Sequence, residues 1–118
     1  KRAQLVPADL CRAGLASLND LDRLTAFADN LVPHVLRLDG VLVLDPGLAA
    51  AIDAEELLRH GSAEEVELRA CAVHAIELLA AATEPRLTPA EIDALLWNRG
   101  GGRRYKSVPR PRCRNTAY

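Results

Sequence analysis

Residues 62–84, with the sequence SAEEVELRACAVHAIELLAAATE, decide the fold class of this chain. Ser62 is a favoured N-cap residue, and Glu64 and Glu65 place negative charge in the first turn, where the helix dipole stabilises it. Pro85 ends the helical pattern because it cannot donate a backbone hydrogen bond. Apolar residues occupy most of the circumference of this predicted helix, which is typical of a helix at the centre of a fold.

Capping signals on both sides of this helix predict further helices. Asp45 followed by Pro46 favours a helix start, and Gly40 ends a shorter helix that we expect to begin at Pro33. Residues 88–91 (TPAE) form a capping box for another helix. The composition is 49% hydrophobic but only 3% aromatic, which favours helices over sheets. We therefore predict a compact all-α domain.

Two more helices are predicted near the start of the chain. The first begins near Pro7 and stops at Gly14 or shortly after, and the second begins after Asn19 and ends at a bend over residues 29–32. Residues 41–44 (VLVL) could be a buried strand or a connector. We favour the connector because no other segment is expected to pair with it.

The net charge of −1 hides a strong division along the chain. Residues 1–98 carry a charge of −8, whereas residues 99–118 carry +7 and no acidic residue. We expect a helical domain over residues 1–102 and an extended basic tail over residues 103–118 that packs on it. Such a tail could bind phosphate through its arginines, dock on the acidic body or remain solvated.

Several classes of protein are excluded by absent signals. Three widely spaced cysteines do not form a disulfide framework, so we expect a reducing compartment, the cytoplasm. No apolar run is long enough to cross a membrane. No nucleotide-binding loop or serine-hydrolase motif is present. Glu67, Cys71 and His74 share one helix face but lack a fourth ligand, so no metal is expected.

Asp29 is the strongest candidate for chemistry. Its neighbours are mostly apolar, which suits a general base or an electrostatic stabiliser, although it could simply cap the following helix. His34 could face the same pocket or point to solvent. Trp97 and Tyr105 could stack on a ring, but core packing is the favoured interpretation for both.

Several short motifs occur together in this chain, and their order is informative. They are residues 1–4 (KRAQ), 24–29 (LTAFAD) with Val32 and Pro33, 61–62 (GS), 65–70 (EVELRA), Ile92 with Asp93, Leu96 with Trp97, and Tyr118. Together they resemble the queuosine salvage protein family in its C-terminal portion. The chain begins with lysine and contains no methionine, so we expect it to be a segment of a longer protein.

The resemblance implies a hydrolase that cleaves the N-glycosidic bond of queuosine 5′-monophosphate and releases the base queuine for reuse in tRNA. It implies an all-helical fold similar to helix-hairpin-helix DNA glycosylases, with neither a metal nor an organic cofactor. The family's catalytic carboxylate would be Asp29, with Phe27 lining the pocket. Lys1 and Arg2 could reach the phosphate. His34 is a candidate proton donor by position alone.

Two other functions remain open from the sequence. The basic tail and the glycosylase-like fold are compatible with a nucleic-acid-binding or base-excision domain, although the acidic body would repel a duplex and we expect no stable nucleic-acid complex. A non-catalytic helical interaction domain would fit if Asp29 were only a helix cap. The oligomeric state is not predicted.

Overall fold

A computed structural model describes residues 2–116 and Tyr118, except for the side chain of Arg2. The described residues contain the following elements in chain order: α1 (Arg2–Arg12), a 3-10 turn (Leu21–Arg23), α2 (Leu31–Leu38), α3 (Pro46–Asp53), β1 (Leu57–Leu58), α4 (Ala63–Ala82), α5 (Pro89–Gly100), α6 (Arg103–Lys106) and β2 (Arg112–Cys113). The fold is therefore mostly helical, as predicted. None of the helices described is both long and apolar enough to span a membrane.

The main core lies between α2, α4 and α5. Its buried members are Ala26, Val32, Leu36, Ala72, Ala75, Ile76, Ala80 and Ile92. The three alanines that α4 contributes to this core have short side chains, which lets the neighbouring helices approach closely. Only one face of α4 is covered, because Val66 and Leu78 on its other side are about half exposed. The longest helix therefore packs from one side and is not surrounded.

The capping predictions are confirmed. Ser62 Oγ accepts a hydrogen bond from the Glu65 amide at 3.3 Å. Thr88 and Glu91 form the complete capping box at the start of α5. The Asp45 side chain caps α3 by accepting hydrogen bonds from the amides of Gly47 and Leu48. Gly40 follows α2 with a φ of +78°, a left-handed conformation that glycine adopts without a steric penalty. Residues 41–44 form a connector.

The predicted helix after Asn19 is wrong. Only the short 3-10 turn forms there, and residues 24–29 have no regular secondary structure. This segment is held by long-range hydrogen bonds, from the Phe27 amide to Asp93 Oδ1 at 3.1 Å and from Thr25 Oγ1 to Glu77 at 2.8 Å. These bonds to α4 and α5 replace the intrahelical bonds that the local pattern favoured.

The segment after residue 102 is only partly extended. It begins with α6 and later forms β2, which pairs in parallel with β1 so that Leu57 lies opposite Arg112. The sequence predicted neither strand, because a two-residue pair carries no periodic pattern. Tyr105 of α6 is buried, in agreement with the favoured interpretation that it packs in the core. Its hydroxyl donates a hydrogen bond of 2.8 Å to Asp39.

Candidate active site

Asp29 lies two residues before the start of α2 and is 8% exposed. Its Oδ1 accepts hydrogen bonds from the amides of Leu31 at 2.8 Å and Val32 at 3.1 Å. Two amide donors and the positive end of the helix dipole stabilise a negative charge at this position. Asp29 therefore caps α2, which was the simpler interpretation of the sequence, and the same bonds hold its carboxylate in a fixed orientation.

The space beside Asp29 is small. The cavity that it lines has a volume of about 10 Å³, and Glu65, Arg69 and Tyr118 lie in its wall. Glu65 Oε1 accepts hydrogen bonds from Arg69 Nε at 2.7 Å and from the Tyr118 hydroxyl. The Arg69 guanidinium stacks over the Tyr118 ring at 4.8 Å. No flat heterocycle fits in this cavity as the described residues enclose it.

The electrostatics of this cluster follow from its hydrogen bonds. The bond from Arg69 is the main cause that lowers the pKa of Glu65 to about 2, against the opposing effect of burial. Burial and the adjacent Glu65 carboxylate raise the pKa of Tyr118. At neutral pH the cluster therefore contains an anionic Glu65, a cationic Arg69 and an uncharged tyrosine hydroxyl.

A larger cleft opens at Phe27. It has a volume of about 380 Å³ and is lined by Leu5, Asp9, Arg12, Phe27, Asp93, Ala94, Trp97 and Asn98. The size is within the range of pockets that bind small molecules. Trp97 is 54% exposed. The prediction that Trp97 packs in the core is therefore wrong, because residue 97 falls on the open side of α5.

Asp93 is the residue in this cleft that the sequence reasoning missed as a candidate. It is 5% exposed, although aspartate is rarely buried without a functional or structural partner. The capping box sets the register of α5 and places Asp93 one turn beyond the buried Ala90. A carboxylate on the buried face of an otherwise amphipathic helix was the signal that could have identified it.

The other predicted site residues either lie apart from this cleft or are not among the residues that the structure describes. His34 is completely buried, with Nε2 2.9 Å from the Tyr105 carbonyl, and no partner for its Nδ1 lies within the described part of the chain. Burial lowers the pKa of His34, so the ring is neutral. It lines neither the cavity at Asp29 nor the cleft at Phe27. Lys1 and the side chain of Arg2 lie outside the described residues.

The sequence and the structure point to different groups of potential metal ligands. Glu67, Cys71 and His74 are exposed on α4. A different trio has ligand atoms within 4.8 Å of one another, namely His60, Glu65 and Cys113. Glu65 Oε2 accepts a hydrogen bond from the Gly61 amide at 3.2 Å, in addition to the bonds from Arg69 and Tyr118. Both carboxylate oxygens are thus used within the protein, so this cluster is organised as an ion pair.

Comparison with known proteins shows which family the sequence matches. The family model described as "Queuosine salvage protein" matches residues 1–118. Similar proteins include "Queuosine 5'-phosphate N-glycosylase/hydrolase" of Sphaerobacter thermophilus, 38% identical over 125 residues, and that of Dictyostelium discoideum, 34% identical over 125 residues. Each alignment covers 100% of this chain and 39% of the relative.

A third relative with the same description comes from Schizosaccharomyces pombe. It is 31% identical over 103 residues, covering 83% of this chain and 30% of the relative. The chain thus spans well under half of the length of these relatives. Because the family model matches the whole sequence, the chain belongs to the queuosine salvage protein family.

Proposed function

We propose that the protein hydrolyses the N-glycosidic bond of queuosine 5′-monophosphate and releases queuine, with Asp29 as the catalytic carboxylate. The family match supports this reaction, since the relatives are described as queuosine 5'-phosphate N-glycosylases/hydrolases. One structural observation carries the proposal. Phe27 lines a cleft of about 380 Å³, and the carboxylate of Asp29, two residues later in the chain, is held in a fixed orientation.

The chemistry of the reaction calls for a fixed negative charge. Breaking a ribosidic C–N bond builds positive, oxocarbenium-like charge on the sugar, and a nearby carboxylate stabilises that charge or deprotonates the attacking water. The amides of Leu31 and Val32 hold Asp29 in place before the reaction begins. By analogy with single preorganised donors, such a group contributes roughly 3–4 kcal/mol to the lowering of the barrier.

The cleft at Phe27 suits the heterocyclic base. Trp97, which is about half exposed, presents aromatic surface on which a planar ring can stack, whereas Phe27 lines the cleft but is almost fully buried. Asp93 lines the same cleft, and the hydrogen bond from the Phe27 amide fixes the orientation of its carboxylate. In this proposal the base lies against these three residues and the sugar extends toward Asp29.

The cavity at Asp29 is too small to hold a sugar. A complete sugar site therefore needs the enclosing residues to move, or residues from another part of the protein to form its walls. The relatives carry more than half of their length outside the region aligned with this chain. We assign the rest of the sugar site, and the group that protonates the leaving base, to that part of the protein. His34 is not proposed for this role, because it is buried against Tyr105.

The proposal is tested with Asp29→Asn in the full-length protein. Asparagine can still accept the amide hydrogen bonds through its side-chain oxygen, so the fold should be kept while the charge is removed. We expect queuine release from queuosine 5′-monophosphate to fall by roughly 10²–10³-fold, the range found when one preorganised electrostatic group is removed. Release is measured by chromatography with mass detection.

A matched control is Asp45→Asn, because Asp45 caps α3 through the same type of bond and lies in neither the cleft nor the small cavity. It should retain wild-type activity. Wild-type turnover by the Asp29 variant would overturn the assignment of the carboxylate. A wild-type protein that releases no queuine would overturn the proposed reaction itself.

A further inference from the structure

A segment without helical structure closes one side of the cavity at Asp29. It comprises residues 112–116 and Tyr118 and is here called the strap. Arg112, Cys113 and Tyr118 of the strap line this cavity, whose volume is about 10 Å³. Such a volume is about the room that one water molecule needs. A substrate sugar therefore cannot approach Asp29 while the strap lies in this position.

The other walls of the cavity belong to the packed body of the fold. Leu68 and Arg69 are part of α4, the longest helix, and Leu68 is buried in the interior. Pro111 also lines the cavity, and its burial fixes the point at which the strap begins. Because closely packed side chains resist displacement, the strap is the wall that is best able to move.

The strap is held only weakly along most of its described length. β2 pairs with β1 over two residues, and the ion pair of Arg112 with Glu55 joins side chains that are 45% and 63% exposed. An ion pair as exposed as this one contributes little to stability, because water screens both charges. Segments with few buried contacts and few shielded hydrogen bonds open locally at a low cost in free energy.

Tyr118 holds the far end of the strap against α4. Its hydroxyl donates a hydrogen bond to Glu65 Oε1, and its ring lies 4.8 Å from the Arg69 guanidinium. The Glu65 carboxylate does not depend on this bond, because it also accepts bonds from Arg69 at 2.7 Å and from the Gly61 amide at 3.2 Å. Release of Tyr118 therefore transfers a tyrosine hydroxyl to water and leaves no buried charge unpaired.

We propose that the strap is an autoinhibitory latch, which blocks Asp29 while Tyr118 is bound to Glu65 and admits substrate when Tyr118 is released. The proposal rests on the proposed function for the role of Asp29. Because only the open state binds substrate, the apparent affinity is reduced in proportion to the fraction of molecules that are open. A variant that loosens the latch therefore binds substrate more tightly, and its chemical step is unchanged.

The first test measures the position of the strap and needs no catalysis. Cys113 is partly buried in the strap and Cys11 is partly buried on α1, so one reaction with a thiol reagent reports on both. In the full-length protein, Tyr118→Phe should speed the labelling of Cys113 by about tenfold relative to Cys11, because a hydrogen bond to a charged group is lost. The labelled peptides are quantified by mass spectrometry.

The matched control is Tyr105→Phe. This change also removes a hydroxyl that donates to a carboxylate, in this case Asp39, and Tyr105 does not line the cavity at Asp29. The control should label Cys113 at the wild-type rate. Equal labelling of Cys113 in the wild type and the Tyr118 variant would overturn the latch.

The second test is kinetic. Tyr118→Phe should lower the KM for queuosine 5′-monophosphate by about 3–10-fold and leave kcat within about twofold, whereas Tyr105→Phe should change neither constant. An unchanged or higher KM, or a lower kcat, in the Tyr118 variant would overturn autoinhibition. If the labelling of Cys113 responds as expected but the wild type releases no queuine, the latch stands and the proposed reaction fails.

Discussion

Asp93 Oδ1 accepts a hydrogen bond of 3.1 Å from the main-chain amide of Phe27, and this bond joins two residues that are 66 positions apart. Both residues are almost fully buried. The bond attaches segment 24–29 to α5, and the Phe27 ring and the Asp93 carboxylate line one cleft. The Phe27 amide therefore finds its acceptor on another element and not within a helix of its own.

Replacing Asp93 tests this attachment. Asp93→Ala leaves the buried Phe27 amide without its acceptor, and we expect a loss of about 1–3 kcal/mol in the free energy of unfolding. Asp93→Asn keeps an oxygen that can accept the bond and should cost less. Urea denaturation of both variants provides the measurement. An alanine variant as stable as the wild type would show that the bond does not hold the segment.

Gly100 is predicted to resist substitution because of close packing. A Cβ atom at this position would lie 2.9 Å from Cγ and Cδ1 of Leu31, so the whole leucine side chain would have to move. Gly100→Ala should destabilise the protein by about 1–3 kcal/mol, the usual cost of overpacking, despite the better helix propensity of alanine.

The cause of that loss is checked with a double-mutant cycle measured by denaturation. Adding Leu31→Ala removes the clash, so the double variant should be more stable than the sum of the two single losses predicts. A nearby control is Gly101→Ala, whose nearest contact is the Asn98 carbonyl oxygen at 3.1 Å. Simple additivity of the Gly100 and Leu31 effects would contradict the packing explanation.

His34 is expected to make stability depend on pH. Burial lowers its pKa below the ordinary value of 6.5, because the interior disfavours the charged ring, although the Tyr105 carbonyl acts in the opposite direction. The unfolded chain therefore binds this proton more readily than the folded one. The contribution to stability is complete above pH 6.5 and is lost as the pH falls through 6.5 toward the pKa of the folded state.

The corresponding measurement is the unfolding free energy between pH 7 and pH 5. His34→Gln, which can still donate to the Tyr105 carbonyl, should flatten the decline of stability in acid. The same substitution at His74, which is exposed on α4, should leave the decline unchanged. If His34→Gln kept the wild-type slope, titration of this ring would not be its cause.

The ion pair between Glu65 and Arg69 should be strongly coupled. The Glu65 side chain is 3% exposed, so removing its partner leaves a buried charge. We expect Arg69→Met to cost about 2–4 kcal/mol at pH 7, near the range for a broken buried pair and reduced by the partial exposure of Arg69. Glu65→Gln in the Arg69→Met background should recover part of that loss.

Measurements of stability at acidic pH provide an independent check on this ion pair. The pKa of Glu65 is lowered to about 2 in the folded protein, so its contribution is present above pH 4.5 and is lost as the pH falls from 4.5 toward 2. Chemical denaturation at pH 7 and pH 3 should therefore show a smaller cost of Arg69→Met at the lower pH. An equal cost at both values would mean that Arg69 acts through packing on Tyr118 rather than through charge.

Elements with side-chain capping signals were predicted well, whereas α1 begins at Arg2 and not near Pro7 as the proline suggested. The N-caps of α3, α4 and α5 are formed by side chains and amides within three residues of each other, so the sequence contains everything that these bonds need. The start of α2 was predicted at Pro33, and the helix begins two residues earlier, at Leu31, within the predicted bend. The segment after Asn19 was predicted as a helix and instead has no regular structure over residues 24–29, because its bonding partners lie on α4 and α5.

At the candidate site, too, the local features could be predicted from the sequence and the long-range contacts could not. Asp29 could be selected from its apolar neighbours and from the family motif, and its cap bonds are local. Whether His34 faces a pocket, whether Trp97 is buried and whether Asp93 enters the Phe27 cleft all depend on how α2 and α5 are rotated against their neighbours. Residue type and spacing do not determine that rotation.

The amino-acid sequence by itself therefore determined a helical chain, the positions where its best-capped helices begin, the charge division along it and the family to which it is similar. The tertiary structure alone decided that Asp93 meets Phe27, that β1 pairs with β2, and that the strap closes the cavity at Asp29. The physical reason is the distance along the chain over which each kind of interaction acts. Caps and dipoles act over a few residues of contiguous chain, whereas cavities and their charges arise where elements distant in sequence pack together and bury surface from water.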